Sequence, residues 1–317
     1  MNYFKRNTFL IVTLFAFFSG FSQDSIPQLT NIQQYTPSKL IGKGQVDIKW
    51  FNNLYTETES TFAEGIQPRQ SFFTSTLEFY TGVGKNKRLN LGFIARLRSN
   101  IQSSPNDDRG ALDVFNFSGE TGVARSGLTA LAPSIKFVPF PSISNFSIQS
   151  SFFIPLIDNE TEDGILDADG NRLRNSIFLE QNGFAWQNRL FYDYTFPGNK
   201  WQLFTELTTE FNFGKASTQD SNENTVGGSF ANNSLNINPG VFISYFPSSK
   251  FTVLALAQHS QRLDLGNNFA QDFTALGGGA KYQLTNALNF EVLYTNFVRG
   301  NNTGLGQTFN FGVRGIF

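Results

Sequence analysis

The sequence predicts an all-β protein: a closed antiparallel transmembrane β-barrel of about twelve strands, with short turns at one end and longer loops at the other. Three observations predict it. Phenylalanine is in large excess, 37 residues against one methionine, yet mean hydropathy is -0.23, so the apolar side chains are dispersed among polar ones. The dispersal has period two, which puts successive side chains on opposite faces of a strand. The segments between the alternating runs are short and long by turns.

The first element is not a strand. Lys5 and Arg6 precede the apolar run FLIVTLFAFF, Phe9 to Phe18, and small Gly20 and Ser22 follow. This is the pattern of a secretory signal peptide, residues 1–22, cut ahead of Gln23. The apolar run is about half the ~20 residues of a spanning helix, which argues against an anchor. The chain has no cysteine, which excludes a lipoprotein, disulfide staples and thiolate metal sites. A net charge of -1 gives no electrostatic reason to expect nucleic acid. Residues 23–44 are polar and proline-containing, and read as an N-terminal periplasmic extension without a strand of its own. The barrel is expected over 45–317.

Within it the expected strands are Val46–Thr56, Phe73–Val83, Leu89–Ile101, Leu128–Pro139, Phe146–Leu156, Phe184–Phe196, Trp201–Phe213, Leu235–Phe246, Phe251–Ser260, Phe273–Leu284, Leu288–Val298 and Thr308–Phe317. Each is near the ~9–11 residues that a tilted strand needs to cross a bilayer. GKNKR, PSISN, PGNK, PSSK and TNA make the short connections, and the intervening loops are longer. In hydrocarbon every backbone amide must be paired within the protein, so a sheet with one apolar face has to close on itself. A soluble sandwich could bury the phenylalanines between two sheets, but it leaves the loop asymmetry and the aromatic terminus unexplained.

In TFNFGVRGIF, residues Phe309, Phe311, Val313 and Phe317 share one parity, and Arg314 falls on the other. A closing strand of this kind resembles the assembly signal of Gram-negative outer-membrane β-barrels, and the resemblance extends as pattern over the whole mature chain. It implies an integral outer-membrane protein. Its partners would be outer-membrane lipids and lipopolysaccharide, the barrel-insertion machinery that reads such a strand, and other outer-membrane proteins.

Hydrophobic parity also sets the hairpin registers, because lipid-facing residues must oppose lipid-facing ones. Pairing Tyr194 with Trp201 sets Arg189 opposite Glu206 and Asp193 opposite Gln202. Pairing Leu284 with Leu288 sets Lys281 opposite Glu291. Pairing Val83 with Leu89 leaves Glu78 diagonal to Arg96. The expected lumen charges are Lys49, Arg96, Arg98, Arg189, Lys281 and Arg314 against Asp47, Glu78, Asp193, Glu206, Glu210 and Glu291. A selective ion pore lines its constriction with one sign. This balanced set suits a charge-latticed wall or a narrow, weakly selective channel.

Little catalytic chemistry is legible. His259 precedes Ser260 directly, so the two point to opposite faces. A His-x-Ser spacing, which would let an imidazole take the serine proton, is absent. In DNETEDGILDADGN, Asp167, Asp169 and Asn171 alternate, but neither the glycine nor the distal glutamate of an EF-hand falls in place. It reads as a solvated acidic loop, with calcium bridging as the alternative. The run Gly277 to Gly279 lies inside a strand, where it allows curvature or a close approach. Trp50, Trp186, Trp201, Tyr192, Tyr194 and Tyr294 read as girdle aromatics. No cofactor or metal is expected. Three functions stay open: a passive channel or transporter for small solutes, a non-enzymatic subunit of a larger outer-membrane complex, and, with least support, a lipid-modifying enzyme.

Overall fold

A computed structural model describes residues 37–84, 86–103, 108–116, 124–157, 165–166, 172–173, 179–180, 183–214, 218–219, 225–226, 233–265 and 270–317. The acidic loop residues around Asp167 and the proposed leader lie outside these residues. Twelve long strands form one closed antiparallel barrel. They are β1 (Val46–Glu57), β2 (Gln70–Val83), β3 (Leu89–Gln102), β4 (Ala124–Phe137), β5 (Phe146–Pro155), β6 (Ala185–Thr195), β7 (Trp201–Asn212), β8 (Ser234–Tyr245), β9 (Phe251–Asp264), β10 (Gln271–Gln283), β11 (Leu288–Asn301) and β12 (Gln307–Ile316).

Each strand pairs with its neighbours in the chain, and β12 returns to β1. The seam runs from Asp47 opposite Ile316 to Thr56 opposite Gln307. Val46 and Phe317 then exchange two backbone hydrogen bonds of 2.8 Å. Closure therefore leaves no open ladder to meet hydrocarbon.

The outer face is apolar and aromatic. Phe309 and Phe311 are 47% and 41% exposed, and Trp186, Trp201, Tyr192, Tyr194 and Tyr294 stand out from the wall beside them. Trp50 shares this face and donates its Nε1–H to Ser75 Oγ at 2.8 Å. Near the loop end a 3₁₀ turn, Ala111–Phe115, folds back over the outside of the wall. There Val114 packs with Leu54, Phe73 and Ile101.

The turns set the registers. Val83 opposes Leu89 and Lys281 opposes Glu291, as parity predicts. The PGNK hairpin corrects its expected register by two residues: Tyr194 opposes Leu203, and Arg189 opposes Thr208 instead of Glu206. The cause is local. Gly198 and Asn199 both take positive φ, 87° and 54°, and Asn199 N–H donates to Phe196 O at 3.1 Å. All four residues of PGNK are thereby used in the loop, where the expected register left only Pro197 and Gly198. A shift of two conserves which face each residue occupies. The glycine run answers to close approach. A Cβ on Gly277 would lie 2.0 Å from Tyr294 O, and one on Gly279 would lie 2.1 Å from Val292 O.

Candidate functional site: the lumen

The interior face of the barrel carries two unlike surfaces. The first is charged. Arg189 lies at its centre: Nε reaches Glu206 Oε1 at 2.8 Å and Nη1 reaches Glu78 Oε1 at 3.3 Å. The Glu206 bond runs diagonally across the β6–β7 ladder, and the Glu78 bond crosses the lumen from β2. Lys281 Nζ meets Glu291 Oε2 at 2.5 Å between directly opposed residues. Arg314 bridges the seam to Asp47 with two bonds of 2.9 and 2.6 Å.

The remaining expected lumen charges find other partners. Glu78 is diagonal to Arg96, since Thr76 opposes Arg96 and Glu78 opposes Ile94, but Arg96 bonds Glu180 instead. Arg98 Nη2 joins the same carboxylate at 3.3 Å. Glu210 accepts from Gln187 at 2.8 Å and from Asn236 at 3.2 Å. Asp193 opposes Phe204 rather than Gln202, although Gln202 Nε2 still reaches its Oδ2 at 3.4 Å. Lys49 Nζ sits over the Phe51 ring, 4.8 Å from its centroid.

Glu180 belongs to the long connection between β5 and β6, and sequence parity has no means to place it. It enters the lumen beside Leu179, whose carbonyl accepts from Asn100 Nδ2 at 3.2 Å. Burial works to raise the Glu180 carboxyl. The Arg96 and Arg98 guanidiniums outweigh it and hold the group down at about 2. Lys136 also escapes the expected set. It is buried on the lumen face, over the Phe191 ring at 5.3 Å.

The second interior surface is apolar. Phe204, Phe242, Phe246, Leu254, Leu256 and Leu293 line one side of a cavity of about 620 Å³. Lys49, Glu78, Arg96, Arg189, Glu206, Lys281 and Glu291 also line it. Toward the loop end Phe273 and Phe297 stack with centroids 4.1 Å apart. Phenylalanine therefore serves both faces of the wall.

Toward the turn end the cavity meets the segment before β1. Pro37 lines it. Ser38 is fully buried and donates its hydroxyl to Asp193, and Lys39 Nζ lies 2.9 Å from the same carboxylate. Ile41 exchanges two hydrogen bonds with the Asn90 side chain, at 3.1 and 3.0 Å. A Cβ on Gly82 would fall 1.8 Å from Gly42 O, so only glycine lets the segment lie this close. Residues 37–44 thus occupy the turn-end mouth.

His259 sits on the outer face, with Nδ1 3.0 Å from Thr274 Oγ1, while Ser260 turns inward and donates to Asn238 Oδ1 at 2.6 Å. The two do not bond each other.

No protein-family model and no curated protein sequence matches the chain. Solved structures do. An outer membrane channel from Pseudomonas putida F1 superposes with a TM-score of 0.59 at 10% identity, covering 93% of this chain and 100% of its own. The β domain of the Bordetella autotransporter BrkA superposes with a TM-score of 0.51 at 14% identity, covering 86% of this chain and 98% of its own. At such identities the likeness is one of architecture, and that architecture is the outer-membrane β-barrel.

Proposed function

We propose that the protein is a passive channel of the outer membrane that carries small solutes through a lumen of balanced charge. The observation that carries this reading is the cavity of about 620 Å³, lined from Pro37 near the turn end to Phe273 and Phe297 toward the loop end. Its similarity in fold to an outer membrane channel supports the same reading. The short turns face the periplasm, the leader is removed ahead of Gln23, and the insertion machinery reads Phe309, Phe311, Val313 and Phe317. Cross-barrel ion pairs such as Glu78–Arg189 narrow the path, and the expected balance of lumen cations and carboxylates gives neither sign of ion an advantage.

Single-channel recording of the purified protein in planar bilayers tests this. Stepwise conductance with weak ion selectivity is the expected result. Silence, with a partner that stays bound through purification, overturns it in favour of an accessory subunit of a larger outer-membrane complex.

A further inference from the structure

A lumen that passes only hydrated solutes gains nothing from an aliphatic and aromatic wall. Keeping apolar surface wet costs about 25 cal/mol per Å². Here that wall runs over β7, β8 and β9 as Phe204, Phe242, Leu254 and Leu256, and it borders the same cavity as the charged strands. Most of the cavity's charges are consumed by one another: Arg189 by Glu206 and Glu78, Lys281 by Glu291, and Arg96 by Glu180. Lys49 differs. Among the described residues no carboxylate lies within ion-pair distance of its ammonium, which rests on the Phe51 ring. Glu78 directly opposes Lys49 across the β1–β2 ladder, and Asp47, Glu206 and Glu291 also lie within its electrostatic reach; each of these carboxylates is already bonded to Arg189, Arg314 or Lys281. The cavity volume falls in the range of about 300–1,000 Å³ typical of small-molecule sites, which combine an apolar lining with a few fixed polar groups.

We propose that the lumen binds a small amphiphilic anion, with its carboxylate on Lys49 and its aromatic or aliphatic body against Phe204, Phe242 and Leu256. The inference rests on the channel reading, in that the lumen is taken as the solute's path. A neutral hydrocarbon would leave the Lys49 charge unmatched. A fully hydrophilic anion would leave the apolar wall wet. A carboxylate with a short apolar tail satisfies both.

Equilibrium dialysis of radiolabelled 4-phenylbutyrate against the full chain in lipid nanodiscs, with empty nanodiscs subtracted, is the test. Saturable binding is expected, with neither 4-phenylbutylamine nor acetate competing. Lys49→Gln should weaken it about tenfold, the worth of one charge-assisted hydrogen bond. Lys49→Arg should keep it, and Phe242→Asn should weaken it while the barrel still shows its heat-dependent gel shift. Binding unchanged by Lys49→Gln, or equal competition by the amine, overturns the proposal. Conductance without 4-phenylbutyrate binding overturns the ligand class and leaves the channel reading standing. Binding without conductance upholds the ligand class and removes the channel reading.

Discussion

Arg189 holds two carboxylates at once, one from the strand beside it and one from across the lumen. Removing it strands both in a largely buried setting, which costs about 3–5 kcal/mol when an ion pair of this kind is broken from one side. Arg189→Ala should therefore lower the urea midpoint of the barrel in lipid vesicles clearly more than Arg314→Lys, which keeps a cation at the seam. Glu180 gives a pH signature. Its folded carboxyl lies at about 2, below the ordinary 4.5, so its contribution to stability is complete above pH ~4.5 and lost as pH falls toward 2. The melting temperatures of wild type and Glu180→Gln should differ at pH 6 and converge near pH 2. Parity assigns each strand residue a face from the sequence, and Lys281 and Glu291 meet as the pattern requires. Parity is silent on diagonal bonds and on loop residues, which is why Arg96 finds Glu180 rather than a strand partner.

At the scale of elements, all twelve strands lie where alternation puts them, with ends that differ by a few residues. The exception in register is instructive. Proline followed by glycine suggests a two-residue corner, and Asn199 in the left-handed region lengthens it. The segment 37–44 is the larger surprise. It has no alternation, so the sequence offers only an extension, while its buried Ser38 and the Lys39–Asp193 pair anchor it in the mouth of the barrel. Releasing that anchor should widen the path. Asp193→Ala, or deletion of residues 24–42, should raise conductance and its open-time fraction in planar bilayers. Unaltered currents in both variants would mean that the segment does not limit flow.

Taken as a whole, the molecule wraps an apolar aromatic exterior around a partly apolar interior. The exterior follows from sequence and bilayer physics together: strands of the right length, one greasy face, and no tolerated edge. The interior phenylalanines do not follow. Phe51 shares its face with Lys49, and a period-two pattern that sends charges to the lumen gives no notice that phenylalanines join them there. A polypeptide without residues 1–22 should stay aggregated in plain buffer and refold only with detergent or lipid, migrating on unheated gels as a compact species that heating converts to the full-length position. Recovery of a monodisperse globule without amphiphile would contradict the membrane assignment.

The Asp47–Arg314 bridge and the Val46–Phe317 clasp join residues at least 267 positions apart in the chain. Contacts of that separation carry a heavy loop-closure penalty and arrive late. Until they form, the twelve strands are an open ribbon with two unpaired rims, each a template for pairing with another chain.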